Sequence, residues 1–346
     1  EGFVYMNTWL PIMLGGEANL YWLWRTHWAG HELMHGAVLD TSGRFTHANV
    51  EIRKAASEFA DVADFLSDYK VESDTALLFT SLNWNIRQSQ EINSAIKNEY
   101  GFGEEFYKTL LSSGIHPDVI DCKEELEKYR LVFTPTAFTL EEHDFVRRIS
   151  EWVEKGGVWV VGPMSDIRTS IGTKYKTSPY GSLEEITGAK LSYILPDDNG
   201  LVTLENDIGE KVCGSAVYEL FEGGDFEPWL TVKNGHSAIV GKCAAFVKPL
   251  GKGYIVMLGT LPEKADLERI MKKAAKLASS RVYDADEGLM ITRRVCGRDE
   301  LLIAASVGGK AGEFRFEGKY SDIISKESFE NAVKLAPFDV KVLKKA

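Results

Sequence analysis

The sequence has no C-x-x-C pair. Its four cysteines, Cys122, Cys213, Cys243 and Cys296, are scattered. Such spacing argues against a disulfide framework or a zinc ribbon and predicts free thiols in a reducing compartment, taken here as the cytoplasm. No apolar run approaches the roughly 18 to 20 residues that a membrane span needs, so no membrane partner is expected. Basic charge is also short. Lys and Arg number 40 against 51 Asp and Glu, for a net charge of −11. An acidic surface repels phosphate backbones, which excludes nucleic acid as an expected partner. The opening run, EGFVYMNTWLPIMLGG, lacks a basic stretch and a small-residue cleavage site, so no signal peptide is expected. It also lacks an initial Met, which marks the chain as processed or as a piece of something longer. There is no internal repeat and no low-complexity tract.

What is present is a globular composition, 44% hydrophobic and 26% charged over 346 residues, enough for two or three domains. Three segments can be read. In the first, residues 1–70, Trp9 to Leu14 belong to a helix. ANLYWLWR (18–25) reads as a buried strand, short and aromatic-rich after Gly15-Gly16, with Trp22 and Trp24 assigned mainly to a core. A turn comes next at 40–44. Apolar positions Ile52, Ala56, Phe59, Val62, Ala63 and Leu66 then predict an amphipathic helix over 48–67 with Thr46 as its N-cap. One strand, one loop and one helix cannot make a core alone, so this segment reads as the last βα unit of a larger domain.

The second segment, 71–280, alternates strands and helices: TALLFT (75–80), a helix over 103–114, PDVID, RLVFTP, a helix over 139–157 opened by a Thr139–Glu142 capping box, the apolar strand GVWVVGP, then GYIVMLGTLP and a helix to Ala278. That alternation predicts a doubly wound α/β domain. The third segment, 281–346, contains only short strands and reads as a small antiparallel, β-sandwich-like domain.

The sharpest motif lies in HWAGHELMHGAVLD (27–40). His31, Glu32 and His35 fit H-E-x-x-H, the zinc-peptidase pattern, which works when two imidazoles share one helical face beside a general base. Gly30 and Gly36 bracket the motif and leave room for little more than one helical turn. No third ligand stands at a known spacing, although His47 and Glu51 are nearby in sequence. His27, His31 and His35 lie four apart, a spacing that could pick up adventitious metal. No metal and no cofactor is expected, and the zinc peptidase stands as an alternative only. Read without zinc, Trp22, Trp24 and Trp28 lie near Arg25, Glu32 and His35. Aromatic faces cover the C–H face of a sugar, while carboxylate and imidazole hydrogen-bond its hydroxyls. Such groups belong just past the C-terminal end of a barrel strand.

At these residues a family resemblance enters. The run from Gly15 to Arg44 resembles strand 8 and the adjoining loop of glycoside hydrolase family 42, the β-galactosidases. Trp22, Trp24 and Arg25 match the strand pattern; Gly30, Glu32, His35, Val38, Leu39 and Gly43 match the loop pattern. The resemblance implies that Glu32 and His35 bind galactose. It also implies a (β/α)₈ (TIM) barrel, then a flavodoxin-like or amidotransferase-like trimerisation domain, then a small β-domain, the order of the three segments. By the same resemblance both catalytic carboxylates should lie upstream of Glu1, so that the chain alone is expected to be inactive. Retaining hydrolysis needs two carboxyls roughly 5 to 5.5 Å apart, and Glu1 and Glu17 are wrongly placed for that. The expected partners are a galactoside substrate and two further copies of the chain. A non-catalytic structural or assembly module is the alternative. An amidotransferase-like domain would need a nucleophilic Cys at a strand-to-helix elbow; Met164 stands near that turn and Cys122 comes after PDVID without one, so no catalysis is expected there.

Overall fold

The computed structural model describes residues 1–90, 92, 101–197 and 200–346. The chain divides into two compact units, one formed by Glu1–Glu72 with Tyr283–Ala346 and the other by Ser73–Val282. The first and third segments of the sequence thus fold together, with the second inserted between them in the chain. Among the described residues no helix is long and apolar enough to cross a membrane.

The first stretch holds helix α1 (Phe3–Met13), helix α2 (His47–Ser67) and the short strand β1 (Lys70–Val71). Two carboxylates of α2 fasten α1. Glu51 accepts from the backbone N–H groups of Gly2 (2.8 Å) and Tyr5 (3.0 Å), donors that the start of a helix leaves unsatisfied. Glu58 accepts from the Tyr5 hydroxyl (2.7 Å) and the Trp9 indole (3.0 Å). Partial burial pushes the Glu51 carboxyl up, but these N–H groups outweigh it and hold it below the usual range. Thr46 does stand at the N-cap position, yet its hydroxyl donates to the carbonyls of Ala37 and Val38 instead of capping.

The expected strand over 18–25 is not formed. Trp22 and Trp24 are 75% and 66% exposed, which corrects their assignment to a core. A strand exists through its ladder partners, and among the described residues this segment has one isolated bridge, Arg25 to Leu39.

The second unit begins with the parallel strands β2 (Thr75–Leu78), β3 (Asp118–Ile120), β4 (Leu131–Thr134) and β5 (Val158–Val161). They stand in the order β3-β2-β4-β5, and the later strand Gly253–Leu258 extends the sheet in parallel beside β5. β2, β4 and β5 are buried along their whole length, as the continuous apolar runs require of a sheet covered on both faces. Helix α3 (Ser81–Ser89) and α5 (Phe145–Glu154) send Ile86, Phe145 and Ile149 to one face. Helix α4 (Gly101–Ser112) and the helix Lys264–Ala278 send Phe106, Leu110, Leu267 and Met271 to the other. The helix expected from Thr139 starts later. A 3-10 turn spans Glu142–Asp144, His143 and Asp144 adopt left-handed backbone (φ 52 and 54), and α5 begins at Phe145. Thr139 is fully buried, and its backbone is tied up by Asn83, whose side chain both accepts from Thr139 N (2.9 Å) and donates to Thr139 O (3.0 Å). The irregular stretch between β5 and Gly253 folds into an antiparallel extension that includes Gly214–Glu222, Glu227–Val232 and Cys243–Leu250.

The chain then returns to the first unit as an antiparallel sheet containing Leu289–Cys296, Asp299–Ser306, Gly312–Asp322 and Val340–Lys345, with β1 at one edge. The strand Ser328–Leu335 does not stand out in the sequence, because half of its residues, Ser328, Glu330, Asn331 and Lys334, are polar and exposed. Consecutive arginines on Leu289–Cys296 point to opposite faces, as the two-residue strand period demands. Arg293 pairs with Glu72 (2.6 Å) and Glu300 (2.5 Å). Arg294 is buried and donates to the carbonyls of Tyr69 (3.0 Å), Leu66 (3.4 Å) and Ile12, near the C-terminal ends of α2 and α1 where carbonyls lack helical partners. Arg294→Met keeps the stem and removes these three donations, although Leu66 O and Ile12 O keep the N–H groups of Tyr69 and Gly15. It is expected to cost about 2–4 kcal/mol and to lower the thermal midpoint of this unit; an unchanged midpoint would remove Arg294 from this role.

Candidate functional site

The loop between the tryptophans and α2 is pinned at both ends. Leu39 N donates to Trp24 O (2.9 Å), Val38 N to Leu23 O (3.1 Å) and Thr26 N to Leu39 O (3.1 Å). The 40–44 turn is closed by Asp40, whose carboxylate accepts from the Ser42 hydroxyl (2.7 Å) and Arg44 N (2.8 Å). Both contacts, the Ser42 hydroxyl first, hold the Asp40 carboxyl below its ordinary value. Arg25 Nε donates to Thr41 O at 2.9 Å and its guanidinium lies under Gly43, whose φ of 87° suits glycine. Arg25 therefore supports the turn.

Between these anchors the chain runs out and back, with a turn over 31–34 closed by His35 N donating to Glu32 O (3.0 Å). There is no helix here, so His31 and His35 do not share a helical face as the zinc-peptidase reading needs. Among the described residues no three His, Cys, Asp or Glu side chains are grouped to hold a metal ion. Instead Glu32 gathers imidazoles around its carboxylate. His27 Nε2 lies 2.8 Å and His35 Nδ1 3.8 Å from the same oxygen, Oε2. The His27 contact is a close approach out of line for a hydrogen bond. Glu32 is about half exposed, with a side-chain accessibility of 45%, so it can accept hydrogen bonds from an incoming polyol. Trp22 lies beside His27, ring centres 6.4 Å apart, and Trp28 is exposed. The structure thus brings Glu32 and His35 together and adds His27, which spacing alone presented only as a member of a metal row. Glu17 lies apart, on the wall of a cavity lined by the end of α1 and by α2.

In the second unit Met164 occupies the turn after β5 in left-handed backbone, φ 63. Its N–H donates at 3.0 Å to the carboxylate of Glu219, which is fully buried. A thioether has no proton to lose and cannot supply the thiolate that a strand-to-helix elbow would need. Cys122 is buried, and burial first, then Glu142 and Asp121, pushes its thiol up to about 12, far from a reactive thiolate.

Comparison with known proteins agrees with this architecture. A family model described as the β-galactosidase trimerisation domain matches residues 73–279. The β-galactosidase YesZ of Bacillus licheniformis is 30% identical over 361 residues, covering 99% of this chain and 52% of the relative. The β-galactosidase LacZ of Heyndrickxia coagulans is 24% identical, covering 95% of this chain and 49% of the relative. Among solved structures, the β-galactosidase from Bacillus circulans sp. alkalophilus superposes with a TM-score of 0.89 at 17% identity, over 100% of this chain and 52% of that one. The enzyme from Rahnella sp. R3 gives 0.88 at 20% identity, over 99% and 51%. The shared fold is that of a glycoside hydrolase. The chain belongs to family 42 of these enzymes, the β-galactosidases, and matches the C-terminal portion of its members. It spans about half the length of the curated relatives it matches.

Proposed function

We propose that this chain is the C-terminal part of a retaining β-galactosidase of the cytoplasm that hydrolyses terminal β-galactosides. Residues 1–70 supply the last βα unit of the barrel, whose segment 18–25 would become a strand only beside the neighbouring barrel strands of the longer protein, 71–280 a flavodoxin-like trimerisation domain, and 281–346 the closing β-domain. Glu32 accepts hydrogen bonds from galactose hydroxyls and His35 binds the same hydroxyl pattern. Both catalytic carboxylates lie upstream, so the chain alone provides sugar binding and assembly without the chemistry. The observation that carries this reading is the clustering of Glu32 with two imidazoles on a loop pinned beside exposed tryptophans. An ionised acceptor of this kind discriminates between sugars by the hydroxyl it pairs with, since a ligand without that hydroxyl leaves the carboxylate unpaired.

The test is hydrolysis of a chromogenic β-galactoside by this chain beside the product of the uninterrupted gene. Activity in the longer product only is the expected result. Turnover by this chain would overturn the placement of the carboxylates and return Glu1, Glu17 and Glu32 to consideration as the chemistry. Light scattering tests assembly separately: three chain masses are expected, and a monomer at micromolar concentration would show that residues 71–280 do not trimerise by themselves.

A further inference from the structure

A second cavity lies in the inserted unit, far in sequence from the sugar loop and independent of the galactosidase reading. It has a volume of about 490 Å³, within the range of small-molecule sites, roughly 300 to 1,000 Å³. Its position is set by strand order. In the order β3-β2-β4-β5 the chain goes from β2 to β3 in one direction along the sheet and from β4 to β5 in the other, so its direction of travel reverses between β2 and β4. In open parallel sheets covered on both faces, ligands enter the crevice beyond the carboxyl ends of the strands at that reversal. Phe79 and Thr80 come directly after β2, Pro135, Thr136 and Ala137 directly after β4, and all five line this cavity.

The chemistry of the wall selects the ligand. Phe79, Trp84, Tyr107, Val119, Pro135 and Ala137 supply an apolar, aromatic surface, with the Phe79 and Trp84 rings 6.2 Å apart. The polar neighbours are committed to the protein. Asn83 bonds Thr80 and Thr139, the Thr136 hydroxyl donates to the carbonyls of Pro135 and Pro163, Glu104 pairs with Lys108, and the Arg87 guanidinium, also on the wall, lies over the Phe138 ring, 5.9 Å from its centre. One exception remains: the Tyr107 hydroxyl has no hydrogen-bond partner among the described residues, and burial pushes its ionisation up so that it stays a neutral donor. A largely apolar wall with one spare phenol and one guanidinium suits a flat ring bearing one hydrogen-bonding group and penalises a positive charge. We propose that this cavity is a binding site for a small aromatic molecule that carries no positive charge.

The probe is 2-naphthol at pH 7, titrated calorimetrically into the whole chain, with the 2-naphthylmethylammonium ion as the positively charged counterpart on the same ring. One saturable site per chain is expected, with a Kd of about 0.1 mM or tighter, and the ammonium should bind at least about tenfold more weakly. Gly103 lies in α4 on the cavity wall with open space where a Cβ would stand. Gly103→Leu fills the cavity and replaces a helical glycine, so it should weaken naphthol by at least about tenfold without lowering the thermal midpoint. Tyr107→Phe should weaken naphthol several-fold and leave naphthalene unchanged. Non-saturable uptake, equal binding of the ammonium, or undiminished naphthol binding in either variant would overturn the proposal. So would a change of assembly mass in Gly103→Leu, which would make the cavity a contact between copies.

Discussion

Replacing Glu219 with Gln is expected to stabilise the protein above neutral pH and to flatten its stability profile. Glu219 is fully buried on the strand Gly214–Glu222, with one oxygen on Met164 N and the other beside the Tyr180 hydroxyl but out of line for a full hydrogen bond. Its titratable neighbour is the buried Tyr180, which in turn feels Asp166 and Glu184, and none of these brings positive charge. Burial raises the Glu219 carboxyl to about 8, and the Met164 N–H and Tyr180 hydroxyl only partly counter it. The unfolded chain releases this proton near 4.5, whereas the folded chain keeps it to about 8. Between those values the folded state binds more protons, so stability falls as pH rises, by about 1.4 kcal/mol per unit, and levels off above the folded value. Asp166, raised to about 6 by burial against the pull of the Ser182 and Leu183 N–H groups, adds a smaller loss in the acidic part of the range. Gln keeps the shape and the acceptor for Met164 without the charge. The variant should match the parent near pH 5 and exceed it by several kcal/mol at pH 9. Denaturant titrations between these limits decide it: parallel profiles for the two proteins would show that Glu219 ionises without cost.

Replacing Glu32 with Ala in the uninterrupted enzyme is expected to lower kcat/KM for a β-galactoside by about 30- to 1,000-fold, the loss of about 2–4 kcal/mol when a charged acceptor to a sugar hydroxyl is removed. The loop should survive, because its anchors are backbone bonds at Leu23 to Thr26 and the Asp40 turn, not the Glu32 side chain. Glu32→Gln, which keeps an acceptor without the charge, should lose less, and His35→Ala should fall between the parent and Glu32→Ala. A folded Glu32→Ala enzyme with the parent kcat/KM would refute the assignment.

The elements legible in the sequence are those whose physics is local. The apolar runs of β2, β4 and β5 announce strands buried on both faces, and the spacing from Ile52 to Leu66 produces the helix His47–Ser67. The Asp40–Arg44 turn is written in its own residues, and Glu32 and His35 stood out as a pair. Whatever depends on a distant partner was settled by tertiary packing. ANLYWLWR has the composition of a strand but no ladder in this chain. Thr139 has the spacing of a capping box, yet Asn83, more than fifty positions away, takes its backbone. His27 joins Glu32 only because the loop folds back on itself. Glu219 reads as one more charged residue on an alternating strand, and only the packing around it shows a carboxyl sealed from water. Propensity and periodicity act over a few residues, whereas burial, ion pairing and strand pairing depend on which remote residues the fold brings within a few ångströms.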